Sequence, residues 1–180
     1  VKISHLWAPW RLEYVRNQKE GFEKCPFCEA LKEEPSDENL ILTKEKDFFI
    51  IMNRFPYNPG HLLILPTEHV GDFAKISPEL WSKISLVSKL CLKILKQNSD
   101  PHGFNLGLNL GASSGAGIPA HLHWHILPRW TGDTNFMPLI AETKALPTHN
   151  KTIYHQLKPL FSHFSKDLAD ILKQGNKIKK

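Results

Sequence analysis

Three histidines at alternate positions, His121, His123 and His125, each followed by an apolar residue in the run HLHWHIL, constrain the chain more than any other stretch. Period-two alternation belongs to a strand. A strand over residues 121–127 sets the imidazoles on one face and Leu122, Trp124 and Ile126 on the other. Imidazoles contribute little to burial and each ring nitrogen needs a partner. The pattern therefore reads as an apolar back and a chemical front rather than a solvated polar face.

The run GLNLGASSGAGIPA immediately precedes the histidines and carries glycines at 107, 111, 115 and 117. Glycine lets main-chain N–H groups approach an anion closely, and it also turns hairpins for no further purpose. Followed at once by three same-face histidines, the loop reads as a phosphate pocket with a nucleophile in it.

The rest of the pattern supplies a frame. Strands are predicted at residues 40–43, 48–52, 61–66, 103–110 and 121–127, with NRFPYNPG between the second and third as a turn. A long helix is predicted over 78–96, with Ser77 as N-cap and Pro78 in the first turn, which makes Cys91 a core residue. A second helical pattern covers 152–173 in two pieces, with Pro159 at a start or break. Three strands, a helix and two more strands argue for an α+β domain with a mostly antiparallel sheet. At 180 residues, 41% hydrophobic and 23% charged, without a long apolar run, one domain is expected and neither a membrane protein nor a disordered chain.

The three cysteines do not suit a disulfide framework: Cys25 and Cys28 share the run CPFC and Cys91 lies alone. Two thiolates at that spacing supply half of a tetrahedral metal site, and a redox pair or two buried thiols are the alternatives. With no leader-like apolar run in VKISHLWAPWRLEYV, a reducing, cytoplasmic location is expected. The net charge of +5 suits anionic ligands, but part of it lies in the tail KQGNKIKK, which reads as a solvated terminus rather than a nucleic-acid arm.

HLHWHIL resembles the signature of the histidine triad (HIT) superfamily of nucleotidyl hydrolases and transferases. NRFPYNPGHLLILP resembles that family's nucleotide-binding strand and turn, and NLG followed by GAG its phosphate loop. LWAPWR and HWHILPRWTGDTNFMP are similar to bacterial members of the fragile-histidine-triad branch that act on diadenosine tetraphosphate. The resemblance implies a HIT-like α+β fold: a five-stranded antiparallel sheet with one long and one C-terminal helix, the sheet extended across a homodimer. It divides the chain into an N-terminal extension (1–24), a HIT domain (25–150) and a C-terminal helix with a basic tail (151–180).

By the same resemblance His123 is the nucleophile, His125 contacts the phosphate and assists the leaving group, and His61 supports the triad. Asn53 holds the ribose, Ile51 and Leu63 sandwich the base, and Asn109, Gly115 and Gly117 line the phosphates. Relatives carry a polar run before the triad where this chain has GIPA, so the loop here relies more on main-chain N–H groups. Zinc on Cys25, Cys28, His69 and His121 is implied, with no organic cofactor. The implied reaction is cleavage of a dinucleoside polyphosphate at the α-phosphorus, with phosphate or water as acceptor. A phosphoramidase and a non-catalytic nucleotide-binding protein are the alternatives, and neither nucleic acid nor membrane is an expected partner.

Overall fold

The computed structural model describes residues 24–134 and 146–177, with side chains to residue 173. Residues 1–23 of the N-terminal extension, the NFMP stretch at 135–138 and the end of the basic tail lie outside the described residues. A short helix, α1 (Pro26–Lys32), comes first, followed by strands β1 (Ile41–Lys44), β2 (Phe48–Met52) and β3 (Leu62–Pro66). The long helix α2 (Pro78–Ser99) leads to β4 (Gly103–Leu108) and β5 (Trp124–Arg129). Helices α3 (Asn150–Leu157) and α4 (Phe164–Lys177) close the chain, joined by a 3-10 turn at Lys158–Phe161 that contains Pro159. None of the described helices is long and apolar enough to cross a membrane.

The five strands form one sheet in the order β1-β2-β3-β5-β4, every pair antiparallel. Cross-strand partners share a face, so Ile51, Leu63, His125 and Gly107 make one row across four strands. The opposite face carries Phe48, Ile50, Ile64, Trp124 and Ile126 and meets the helices: Trp124 packs edge-on against Trp81 of α2, and Phe48 against Phe164 of α4. α2 starts where the sequence directs it, because the Ser77 side chain accepts from the Leu80 N–H and Pro78 needs no donor partner there. Cys91 is fully buried on the core face of that helix.

β5 differs from its sequence outline. It starts at Trp124, so His121 and His123 precede it, and it runs through Pro128 to Arg129 instead of stopping at Leu127. Ladder pairing with β3 stops at Ile64 opposite Trp124. Two residues further along β3, Pro66 has no N–H to give, and its carbonyl is taken by the His121 side chain. The Leu122 N–H instead bonds the Val70 carbonyl at 2.7 Å. β4 likewise ends at Leu108, not at residue 110, and β3 begins at Leu62, one residue after His61. Helix α1 was not indicated by any periodicity, since seven residues are too few to display one.

Candidate active site

His61, at the end of the β2–β3 turn, receives the Tyr57 main-chain N–H at Nδ1 across 3.2 Å. An amide N–H can only donate, so His61 Nδ1 is the acceptor and its Nε2 bears the proton. Nε2 lies 2.9 Å from His125 Nδ1 and donates to it. His125 in turn carries its proton on Nε2, a buried atom that has no hydrogen-bond partner among the described residues. Buried polar atoms are nearly always satisfied, so a donor left unpaired here is placed to meet something that arrives from outside the protein.

His123 is oriented the other way. Its Nδ1 lies 2.8 Å from the His121 carbonyl, which can only accept, so Nδ1 holds the proton and Nε2 keeps its lone pair. The His123 and His125 rings stand 5.1 Å apart between centroids, as do His61 and His125. A ring nitrogen that keeps its lone pair and an N–H without a partner among the described residues therefore sit on neighbouring rings. All three rings are held neutral. Burial, then the neighbouring imidazoles, brings His61 down to about 3 and His125 to about 4, and burial lowers His123, partly opposed by its bond to the His121 carbonyl. Gly107, the cross-strand partner of His125, has open space where a side chain would project.

Asn53 follows the last residue of β2 and its amide is already oriented: Oδ1 accepts from the Phe55 N–H at 3.0 Å and Nδ2 lies 3.3 Å from His61 Nδ1. One hydrogen and one lone pair beyond these contacts suit a vicinal diol. Ile51 and Leu63 are buried and sit beside each other on the histidine face, so they form a single floor rather than two jaws around a base. Asn109 lies just past β4, partly exposed. Gly115 ends the 3-10 turn Ala112–Ser114 in the left-handed region at φ 87°, and Gly117 is half-buried before the histidines. None of these three is brought into hydrogen-bond contact with the triad.

Cys25 and Cys28 open α1, and their thiols face His69 and His121. Cys28 Sγ is 3.3 Å from His69 Nδ1 and 3.6 Å from His121 Nδ1, while Cys25 Sγ is 3.5 Å from His121 Nδ1. All four ligand atoms lie within 4.8 Å of one another and could hold a metal ion. A tetrahedron with metal–sulfur and metal–nitrogen bonds of about 2.3 and 2.0 Å has edges of about 3.3–3.8 Å, so the cluster fits with small adjustment. His121 is prepared as a ligand, because its Nε2–H donates to the Pro66 carbonyl at 2.9 Å and leaves Nδ1 to the thiols.

Several contributors carry no sequence signal. Phe27 of α1 packs on both His121 and His123 at 5.5 and 5.4 Å, and Tyr57 lies parallel to His125 at 6.2 Å. Asn58, buried in the same turn, donates to the Pro128 carbonyl and to Asp133, while its own carbonyl receives the His61 N–H. Asp133 is held below the usual carboxylate range, first by Arg129, which binds it through Nε and Nη2. The TGD turn after β5 is thereby clamped to the turn that presents His61. The NPG run hints at the turn but not at its partner.

A family model described as HIT domain matches residues 34–132. An AP-4-A phosphorylase of Mycobacterium tuberculosis is 32% identical over 153 residues, spanning 81% of this chain and 78% of that protein. An uncharacterised HIT-like protein of Saccharolobus solfataricus is 31% identical over 117 residues, 63% of this chain and 79% of its own length. Among solved structures, a Zn-bound histidine triad family protein from Mycobacterium smegmatis superposes with a TM-score of 0.61 at 18% identity, covering 80% of this chain and 97% of that one. A hypothetical histidine triad nucleotide-binding protein from Sulfolobus tokodaii gives 0.58 at 24%, with 77% and 95% covered. These two likenesses bear on the fold alone.

Proposed function

Because the chain belongs to the HIT domain family, we propose that it is a nucleotidyl transferase or hydrolase acting on dinucleoside polyphosphates at the α-phosphorus through His123. The observation that carries this reading is the opposed protonation of two adjacent rings: a lone pair on His123 Nε2 and an unpaired proton on His125 Nε2. His123 Nε2 attacks the α-phosphorus and forms a P–N bond. The P–O bond to the remaining polyphosphate breaks, its electron pair goes to the departing oxygen, which leaves as an anion, and the His125 Nε2–H donates a hydrogen bond to that oxygen. An acceptor oxygen then attacks the same phosphorus and breaks the P–N bond, whose electron pair returns to His123 Nε2, while any proton on the acceptor passes to solvent.

Asn53 would hold the ribose hydroxyls over the floor of Ile51 and Leu63. Main-chain N–H groups near Gly115 and Gly117, with Asn109, would line the polyphosphate. Inorganic phosphate is the favoured acceptor, on the likeness to a protein named AP-4-A phosphorylase. Zinc suits Cys25, Cys28, His69 and His121, where it would be structural, fixing α1 and His121. The outer edge of β4 has no strand partner among the described residues, which suits a homodimer joined there.

Incubation with diadenosine tetraphosphate, with and without phosphate, tests the reading. ADP and ATP formed together, and only with phosphate, are the expected products; phosphate-independent AMP with ATP would make it a hydrolase. His123→Asn is expected to lower turnover by at least about 10³-fold while retaining nucleotide binding. A wild type with no turnover of any nucleotide would defeat the enzymatic reading.

A further inference from the structure

The turn at residues 53–61 carries three groups on which nucleotidyl transfer would depend: the Asn53 amide, the Tyr57 N–H that sets the His61 tautomer, and His61 itself. It has little of its own to hold it in place. The ladder between β2 and β3 stops at Met52 opposite Leu62, Pro56 and Pro59 bring no N–H, and Phe55 is 79% exposed. Two main-chain bonds close the turn, from the Asn53 N–H to the His61 carbonyl at 2.8 Å and from the His61 N–H to the Asn58 carbonyl at 3.2 Å. Both stay within it.

Besides the exposed Arg54, which donates to the Glu38 carbonyl, two asparagine side chains fasten the turn to the rest of the molecule. Asn58 is 2% exposed although its neighbour Tyr57 is half-exposed, and its Nδ2 donates to the Pro128 carbonyl of β5 at 2.9 Å and to Asp133 Oδ2 at 2.7 Å. Asp133 is itself held, by Arg129 Nε and Nη2 at 2.6 and 2.9 Å and by the Trp130 N–H at 3.2 Å. The His61 end of the turn is thus tied to β5, the strand that carries His125. At the other end Asn150 Nδ2 donates to the Asn53 and Arg54 carbonyls at 3.0 and 3.2 Å. Asn150 opens α3, which Ile153, Tyr154 and Leu157 seat in the core.

We infer that Asn58 and Asn150 are positioning residues for the proposed transfer, Asn58 for the His61–His125 pair and Asn150 for Asn53, an inference that rests on the nucleotidyl-transfer reading. Both act through the main chain of the turn. Without the Asn58 amide, the Pro128 carbonyl and Asp133 lose that donor, and the Tyr57 N–H is free to drift from His61 Nδ1. His61 then has no single fixed tautomer, and its Nε2–H is no longer kept on His125 Nδ1. Without the Asn150 amide it is the Asn53 end that loosens, where a ribose would be gripped, and the histidine pair stays in place. Misplacing a group by about 1 Å costs about 10²-fold in rate, so a loosened turn is expected to cost about tenfold.

Asn58→Ala and Asn150→Ala, each in the full chain, are compared with wild type by turnover of diadenosine tetraphosphate with phosphate present, by AMP calorimetry and by nitrogen NMR of labelled histidines. Asn58→Ala is expected to lower kcat by about tenfold or more, to keep AMP affinity within about twofold, and to turn the single Nε2–H tautomer of His125 into a mixture. Asn150→Ala is expected to weaken AMP by about tenfold, with kcat within about twofold and the His125 tautomer unchanged. Asp133→Ala removes one of the two Asn58 partners and is expected to shift kcat and tautomer in the same direction as Asn58→Ala, so the test stands even if Asn58→Ala does not fold. Equal effects of the Asn58 and Asn150 substitutions on kcat and on affinity, with the His125 tautomer intact, overturn the positioning roles and leave the transfer chemistry standing. Wild-type kcat, affinity and tautomer in the folded variants do the same. A wild type that turns over no nucleotide defeats the transfer reading and this inference with it.

Discussion

His123 and His121 are joined by a 2.8 Å hydrogen bond from the imidazole Nδ1–H of one to the main-chain carbonyl of the other, and the second residue also presents its own Nδ1 to Cys25 and Cys28. One residue therefore belongs to two sites. Its side chain closes the candidate metal cluster, and its backbone fixes which nitrogen of His123 keeps its lone pair. Cys28→Ser is expected to lower bound zinc, to lower the melting temperature and to reduce kcat, because a loosened His121 no longer holds the His123 tautomer. Elemental analysis, thermal melting and turnover on one preparation check this. A variant that loses its zinc yet keeps wild-type kcat would separate the two sites.

The His61–His125 pair predicts an unusual acid limb. Both rings titrate far below the ordinary imidazole value, at about 3 and about 4, chiefly through burial. Above about pH 6.5 neither the folded nor the unfolded chain protonates these rings, and they leave stability independent of pH. As pH falls below that value the unfolded chain takes up protons that the folded one refuses, so stability declines down to the folded values. The urea midpoint is expected to fall between pH 7 and pH 5, while the His61 and His125 imidazole NMR signals of the folded protein hold their neutral positions to below about pH 5. Imidazole signals of the pair that titrate near pH 6.5 with the protein still folded would contradict the neutral pair.

Much of this architecture was legible in the sequence, for identifiable reasons. Continuous apolar runs marked Phe48–Met52 and Leu62–Pro66, and a capped amphipathic repeat marked α2. Alternation placed the triad rings together, although the strand begins only at Trp124, since alternation reports side-chain direction and not ladder pairing. The candidate ligand set Cys25, Cys28, His69 and His121 came from resemblance, because residues 96 positions apart share no local pattern. What stayed hidden depends on the main chain: the Tyr57 N–H, the Pro66 carbonyl and the His121 carbonyl set the tautomers of His61, His121 and His123, and no side-chain identity encodes them.

His61 is expected to act through His125 and not on substrate directly. His61→Leu removes the donor to His125 Nδ1, so His125 is free to take the other tautomer and lose its Nε2 proton to that position. kcat is expected to fall by roughly 10²-fold, the lower end for losing one hydrogen-bond donor to a developing oxyanion, with KM within about twofold. His61→Gln restores a side-chain N–H donor and is expected to recover part of kcat. A KM effect without a kcat effect would place His61 in substrate binding instead.

Gly71 supplies the last prediction, because it sits between a candidate ligand, His69, and the loop that delivers another, His121. A Cβ there would lie 2.6 Å from the Pro119 carbonyl oxygen and 2.9 Å from the Ala120 main chain, contacts that no side-chain rotation relieves. The next residue back, Val70, accepts the Leu122 N–H, so pushing the two segments apart also strains the approach to His123. Gly71→Ala is expected to cost about 1–3 kcal/mol, a fall of about 2–4 °C in melting temperature for each kcal/mol. Zinc retention is expected to drop with it. Gly103→Ala is the matched control, since nothing lies within 4 Å of the added methyl, and it is expected to melt close to wild type. Equal melting temperatures for the two variants would show that the close approach at Gly71 does not bear on stability.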